Sequence, residues 1–580
     1  VEVTLKPQSE GRYQVKDINL LKRPRTTLFG EIVRHKGQPY LRVDRQVSNT
    51  DWRLVGDEQW PDGTFAVASI EGGKVVVVRT VDADATGLER VLHRYRIRTG
   101  FTPDVEAQAR GARRGEETRQ DLRDIVTLTI DAPSSRDLDD ALAVLPADEQ
   151  GAMRLLVSIA DVDALVPRGG EIDREARRRG TSVYLAGHVI PMLPRALSED
   201  QLSLLPGVDR PALTAELRID PEGEVTAVDL YPSLIRSNQR LHYRQVGAWL
   251  EGRVPDEPID ETLLPTLRWL RTAASRIEMT RRGRGGVSFH NEEAKVSFED
   301  DGHEPVELEA LPTNRAHRLV ERLMVATNEA VARWLNERGL PALYRVHEEP
   351  GREAIEGLTI AARHFGFEGG FGDRLPPRAL TAIEEQFSNT PLAPAMYTVL
   401  GHALGPARYT VHAAPHFGLA APLYLHFTSP IRRYADLVVH RVIKAYLTGE
   451  RGFQTVDQQV EALAQDLNER AFRASRAERE RLRMLAARWF AKRGGEQHVG
   501  HVVAIRPFGL VVHLEGVGVT GTIELDALGP GQAEIGRYAI SVGSQRYHLG
   551  ASLTVEVTGT DERLGRIDLK PVGGTTTPTG

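Results

Sequence analysis

Asp131, Asp137, Asp139 and Asp140 fall within ten positions of one another in the stretch DIVTLTIDAPSSRDLDDALAV. Carboxylates crowded this closely repel each other by ~1 kcal/mol per pair at 4 Å in water, and by roughly 4 kcal/mol at an intermediate dielectric, unless a cation neutralises them. Hard oxygen donors select Mg²⁺, Mn²⁺ or Ca²⁺. An EF-hand is excluded, because its sixth loop position would be Arg136 rather than Gly and its twelfth Leu142 rather than Glu. A Mg²⁺ loop of this kind suits phosphoryl chemistry, in which the ion generates a hydroxide nucleophile and steadies the leaving oxygen. On the residues alone a solvated acidic turn stays open beside the metal site.

The stretch must be held by a larger frame. IVTLTID has strand character and runs into a Pro-Ser-Ser loop, which returns into the apolar run ALAV. Loops fixed by rigid strands commonly carry function. At 580 residues the chain exceeds what one hydrophobic core organises, so several domains are expected. The hydrophobic fraction of 41% and charged fraction of 27% match a globular protein, and no apolar run approaches the ~20 residues that span a bilayer. No membrane association is expected. Cysteine is absent, which excludes disulfides, thiolate zinc sites and cysteine nucleophiles and fits a cytoplasmic setting. The formal charge of -6 argues against bulk electrostatic coating of nucleic acid, so a nucleic-acid site would be a local basic channel. Residue 1 is Val, and the opening VEVTLKPQSEG lacks a signal pattern, so the N-terminus is expected to be incomplete.

Between Thr26 and about Thr99, short apolar stretches alternate with Gly, Asp and Asn turns, the pattern of a small β-barrel. The stretch from about Glu106 to Gln120 lacks apolar periodicity and reads as a polar linker or short surface helix. From about Asp121 to Glu450, strand-like and helix-like runs mix as in an α+β domain. Val456 to Lys492 keep helical spacing among many Arg and Glu, predicting a long amphipathic strut. Short strands with Gly turns return from about Glu496 to Lys570, and the final GGTTTPTG is polar enough to be disordered.

IDAPSSRDLDDAL resembles the signature of the RNB catalytic domain of the RNase II/RNase R family. HRYRIRTGF, SIADVDALV, RRRGTSVYLAGHVIPMLP, LYRVHEEP, HFGLA and HFTSPIRRYADLVVHR resemble further motifs of that family, in order, with a likeness closer to the RNase R branch. The resemblance implies a multidomain chain in which an α+β RNB catalytic domain is flanked by all-β OB-fold barrels, cold-shock-like at the N-terminus and S1-type at the C-terminus. The expected order is a remnant of a first cold-shock-like domain (1–25), a cold-shock-like OB domain (26–105), a linker (106–120), the RNB domain (121–450), its helical extension (451–493), an S1-type OB domain (494–572) and a disordered tail (573–580). It implies a monomeric, processive, Mg²⁺-dependent hydrolase, with Mn²⁺ as substitute, that degrades single-stranded RNA from 3′ ends to nucleoside 5′-monophosphates in RNA turnover and quality control. Action on structured RNA stays open.

By the same resemblance, Asp131, Asp137, Asp139 and Asp140 hold the metal and its water, and Arg432 in TSPIRRY grips the scissile phosphate, a task suited to a forked, permanently charged guanidinium. Arg433 is its neighbour. A nuclease that ignores sequence needs flat surfaces, since every base has a π-face worth ~1–3 kcal/mol on stacking. Tyr184 in TSVYL is expected under the terminal nucleotide, Phe289 in GVSFH as a second clamp, and Tyr243 in RLHYRQV along the RNA path; ordinary core packing is the alternative for each. Glu321 in LVERLM stands where the family often has two adjacent acids that contact the terminal sugar, but the second place here is Arg322. His416, His426 and His440 have apolar or Arg-rich surroundings and are expected to be structural. In the C-terminal barrel, Phe508, His513 and Arg506 are the expected contacts to single-stranded RNA.

Overall fold

The computed structural model describes residues 2–7, 13–19, 26–56, 60–115, 117–287, 293–299, 302–368, 370–388, 390–450 and 458–573. They form two compact units, Val1–Ile97 and Arg98–Gly580. Phe289 and the tail from 574 onward lie outside the described residues.

In the first unit, Glu2–Pro7 pairs with Tyr13–Asn19 as a hairpin. A five-stranded sheet follows, ordered Trp52–Arg53, Gln38–Val43, Thr27–His35, Phe65–Glu71 and Lys74–Val81. A parallel bridge from Leu54 to Val75 links its two edges. Alternate side chains, among them Ile32, Leu41, Val43 and Ala66, fill the interior. Gly30 is needed there, since a Cβ would lie 2.3 Å from the Arg42 carbonyl oxygen on the neighbouring strand. Helix Thr86–Tyr95 ends the unit on Arg96, in the left-handed conformation.

The second unit is built on a seven-stranded sheet. Its order is Gln239–His242, Leu128–Asp131, Asp140–Leu145, Met153–Ala160, Asp209–Ile219, Val225–Arg236 and Gln120–Asp121. Both faces are covered, which is why Met153–Ala160 is buried almost continuously rather than alternately. Leu142 and Val144 face one core, with Leu267 and Leu270 of helix Leu264–Arg284 and Leu319 and Leu323 of helix Arg315–Glu337. Ala141 and Ala143 face the other, with Ile172 of helix Glu171–Arg179 and Leu437 of helix Tyr434–Thr448.

The C-terminal module is a closed barrel ordered Gln497–Arg506, Gly509–Leu514, Val519–Glu524, Arg566–Pro571 and Ser552–Asp561. Val519–Glu524 and Arg566–Pro571 meet in parallel at Thr522 and Asp568. The strand order and the parallel closure are those of the N-terminal sheet, so both flanking modules have the OB topology that the strand spacing and the resemblance predicted. Helices Arg352–His364, Pro377–Phe387 and Ala393–Leu404 share the barrel's core. Helix Gln458–Ala491 joins the two regions, with Leu463 and Leu467 in the sheet's second core and Ala486 and Phe490 in the barrel's.

The stretch expected as a polar linker or short surface helix begins in a helix. Helix Pro103–Gly111 buries Val105 and Ala109, and Arg119 donates a 2.7 Å hydrogen bond to Asp161, which is fully buried. Lys444 reaches the same carboxylate at 2.9 and 3.1 Å. Arg119 thus ties the end of this stretch both to nearby Glu117 and to an acid distant in sequence. Removing one partner of such a buried cluster leaves an uncompensated charge, at a cost of about 3–5 kcal/mol. Asp161→Ala is therefore expected to lower the urea midpoint of the larger unit markedly; a shift no larger than that of an exposed control such as Asp200→Ala would contradict this role.

Candidate active site

The four aspartates sit where two antiparallel strands meet a loop. Asp131 ends Leu128–Asp131, Asp140 begins Asp140–Leu145, and residues 132–139 connect them. Arg240 pins this loop by donating to the carbonyls of Ala132 (3.0 Å), Pro133 (2.9 Å) and Ser135 (2.6 Å). Ser203 Oγ donates to the Arg136 carbonyl and accepts from the Leu138 amide, at 2.7 and 3.1 Å. Arg240 arrives because Gln239–His242 lies parallel to Leu128–Asp131, with His242 opposite Asp131.

Asp139 is only 4% exposed and accepts a 2.9 Å hydrogen bond from the Ile431 amide. Arg432 Nε lies 3.7 Å from its other oxygen, an ion pair too long to be a hydrogen bond. The segment bearing Arg432 is strapped to the strand that bears Tyr184. The Arg432 carbonyl accepts from the Ser182 amide (2.9 Å) and Thr181 Oγ1 (3.1 Å), and the Tyr434 amide donates to the Gly180 carbonyl at 3.0 Å. Tyr184 donates its hydroxyl to Asp137 Oδ2 at 3.0 Å, and its amide donates to Glu478 on the long helix at 2.9 Å. Tyr184 as a whole stays 40% exposed, available to a flat partner.

Tyr243 stacks on His317, with centroids 3.9 Å apart and planes 15° from parallel. Burial, with Asp140 and Asp131 nearby, keeps its phenol protonated far above the ordinary range. Glu321 lies one helical turn beyond His317, hence on the same face of helix Arg315–Glu337. Arg322 turns to Glu278, 3.2 Å away. Tyr184 and Tyr243 thus flank the carboxylates, and Glu321 shares the face that meets Tyr243.

Arg433, the neighbour of Arg432, pairs with an acid three residues on. It makes a forked pair with Asp436, at 2.8 and 2.9 Å, and Asp436 also receives the Ser429 amide at 2.8 Å. This guanidinium is committed to shaping the Ser429–Arg433 turn. In the barrel, Phe508 projects from the turn between the first two strands and is 51% exposed; Arg506, beside it, is also exposed. His513 pairs across the sheet with His501 and Thr520. His416, His426 and His440 lie among aromatic rings, and burial lowers the proton affinity of all three.

Arg240, Ser203, Glu478 and Asp436 are the positioning residues that the sequence reading missed. Arg240 stood three residues before Tyr243 in a motif already singled out, but its partners are more than a hundred positions away. Arg240→Met is expected to lower kcat by roughly 10²-fold, the scale of an ångström-sized misplacement, with RNA affinity preserved. A rise in Kd at unchanged kcat would contradict a positioning role.

Burial, with Asp140 beside it, pushes the Asp131 carboxyl up to about 8. Burial pushes Asp140 up to about 6 and holds Asp139 well above the carboxylate range, against the pull of Arg432. Asp131 Oδ2 and Asp139 Oδ2 are buried without a hydrogen-bond partner. Among the described residues, no three acidic, histidine or cysteine side chains already stand in a metal-holding arrangement. The donors are nevertheless all hard oxygens, two of them orphaned, and their surroundings disfavour bare negative charge. This set fits a divalent cation, for which Asp131, Asp137, Asp139 and Asp140 are the candidate ligands.

The raised values set the sign of a pH effect. The ordinary aspartate value is 3.8, so between about pH 4 and 8 the folded, cation-free chain holds protons that the unfolded chain has released. Its stability is fullest below that window and falls as pH rises through it. The melting temperature in EDTA is expected to drop from pH 5 to pH 8 and to recover with Mg²⁺ at pH 8, and Asp131→Asn is expected to flatten the profile. Parallel profiles for parent and variant would contradict the assignment.

The RNB domain family model matches residues 119–449, which contain this site. The chain is 30% identical over 583 aligned residues to ribonuclease R of Aquifex aeolicus, covering 97% of this chain and 82% of that protein. It is 32% identical to ribonuclease R of Escherichia coli, covering 87% of this chain but 64%, just under two thirds, of that protein. Mycoplasma genitalium RNase R, solved in complex with ribose methylated single-stranded RNA, superposes with a TM-score of 0.85 at 25% identity, covering 99% of this chain and 94% of that one. With the family model spanning more than half its length and the aspartate loop, tyrosines and arginine turn assembled in one place, the chain belongs to the RNase R family of RNB-domain proteins.

Proposed function

We propose that the chain is a 3′-to-5′ exoribonuclease that hydrolyses single-stranded RNA processively to nucleoside 5′-monophosphates, as a cytoplasmic monomer in RNA turnover and quality control. The observation that carries this reading is the meeting of four aspartates, Arg432 and the half-exposed ring of Tyr184 at one loop. The chemistry a bound Mg²⁺ supplies there, with Mn²⁺ as substitute, is activation of water for attack at phosphorus and neutralisation of charge on the departing 3′ oxygen. Arg432 offers its guanidinium to the scissile phosphate while its Nε stays near Asp139. Tyr184 holds its hydroxyl on Asp137 and presents its ring to the last base. Phe289 and Glu321 complete the proposed grip on the terminal nucleotide. Arg506, Phe508 and His513 guide the strand farther out.

In the reaction, the bond between phosphorus and the 3′ oxygen of the penultimate ribose breaks and a water oxygen joins phosphorus. Digestion in ¹⁸O-enriched water with Mg²⁺ is expected to give nucleoside 5′-monophosphates carrying one heavy oxygen. Nucleoside 5′-diphosphates formed with inorganic phosphate, or 3′-phosphates, would contradict the hydrolytic reading. A rival assignment, a metal-dependent DNA nuclease, predicts equal rates on matched RNA and DNA oligomers, whereas recognition of the 2′-hydroxyl predicts a strong preference for RNA.

A further inference from the structure

Among the described residues, no acid pairs with Arg345. It stands on the short strand Tyr344–Val346, which pairs with Arg408–Thr410 so that Arg345 is opposite Tyr409, and its amide donates to the Tyr424 carbonyl at 2.8 Å. Its guanidinium lies on the Tyr409 ring, with Cζ 4.7 Å from the centroid, and among the described residues that side chain makes no hydrogen bond. Burial disfavours its charge, and Arg433 nearby disfavours it further. Asp436, the acid of this group, is already held by the fork of Arg433 and by the Ser429 amide. A cation so placed costs free energy unless an anion reaches it.

His426 supplies a second donor. The Tyr409 hydroxyl is 2.7 Å from His426 Nδ1. Burial, with Arg433, Arg345 and Arg432 around it, keeps this imidazole neutral, so Nδ1 accepts from Tyr409 and the ring proton stands on Nε2. Among the described residues Nε2 has no acceptor. A guanidinium and an N–H without acceptors, beside a third group that already faces the aspartates, suit the oxygens of a phosphate.

Arg432 links this pair to the catalytic loop. Beyond burial, the groups acting on the Tyr184 phenol are Asp137, Arg432 and Asp139, whereas Arg432 acts on His426 in the company of Arg433 and Arg345. A strand whose last base lies on Tyr184 and whose scissile phosphate lies on Arg432 therefore brings its next phosphate, toward the 5′ end, to the His426 side. We propose that Arg345 and His426 Nε2 hold the phosphate one nucleotide upstream of the scissile one, and hand it to Arg432 when the strand advances. The inference rests on the exonuclease reading above and adds to it a second phosphate station with named donors.

The test places one methylphosphonate, which lacks the anionic oxygen, at that upstream phosphate of a 5′-labelled oligoribonucleotide and follows release of the last nucleotide with Mg²⁺. In the parent chain the neutral linkage is expected to lower kcat/KM roughly 10–100-fold, the scale of hydrogen bonds to a charged group. Arg345→Gln is expected to lose a similar factor on unmodified RNA and nothing further on the methylphosphonate strand, since both changes remove one interaction. His426→Asn, which keeps a partner for the Tyr409 hydroxyl, should lose about fivefold on unmodified RNA, the scale of a neutral hydrogen bond, and nothing further on the modified strand. With the methylphosphonate moved well toward the 5′ end, the Arg345→Gln loss should return in full. Losses that multiply on the modified strand in either variant would mean a structural role and overturn the proposal. A parent that cleaves modified and unmodified strands alike would overturn it too. Cleavage of unmodified RNA by the parent decides the nuclease reading separately.

Discussion

Asp139→Asn is expected to lower the rate of mononucleotide release by about 10³-fold while RNA affinity changes less than threefold, and to raise the melting temperature of the cation-free protein. The loss follows from removing one charged donor from a set that must neutralise the charge developing at phosphorus. The stabilisation follows from burial. Asp139 is held in an environment that penalises its charge, and an amide keeps the oxygen that accepts from the Ile431 amide. Stability is spent here on a carboxylate that the fold alone would favour neutral. Single-turnover cleavage, anisotropy and thermal melts in EDTA check the three parts. An Asn variant that melts lower while losing activity would point to a damaged loop instead of a missing ligand.

Arg432→Ala is expected to reduce kcat/KM by about 10²–10³-fold, with Arg432→Lys recovering only about tenfold, because an ammonium restores charge without the planar fork. A second consequence separates this from generic damage. Arg432 lowers the proton affinity of Asp131, Asp139 and Asp140 alike. Its removal should therefore move the acidic limb of the pH–rate profile to higher pH, and lysine should move it partly back. Full activity in Arg432→Lys, or an unmoved acidic limb in Arg432→Ala, would count against this role.

What the sequence made legible was local. Asp131 through Asp140 lie on one strand–loop–strand, so their proximity is guaranteed by spacing, and the Gly-punctuated short strands announced both barrels. Long-range pairings were not legible. Gln239–His242 is too short a strand to detect, yet its register beside Leu128–Asp131 delivers both Arg240 and Tyr243 to the loop. Arg433 adjoins Arg432 in sequence, and only the structure shows that it pairs with Asp436, three residues on, and shapes the turn. At the end of the stretch from Glu106 to Gln120, the partners of Arg119 and Glu117, Asp161 and Lys444, were hidden in the same way by their distance in sequence. Glu478 was one acid among many on a charged helix, and only the fold singles it out under Tyr184.

We propose that these four aspartates, with Arg432 and Tyr184, form the site of a metal-dependent exonuclease acting at 3′ ends. Incubation of the intact chain with 5′-labelled single-stranded RNA and Mg²⁺ tests it most directly. Shortening from the 3′ end in single-nucleotide steps, stopped by EDTA and by Asp139→Asn, is expected. RNA that is bound but never shortened, or cut internally, would contradict it.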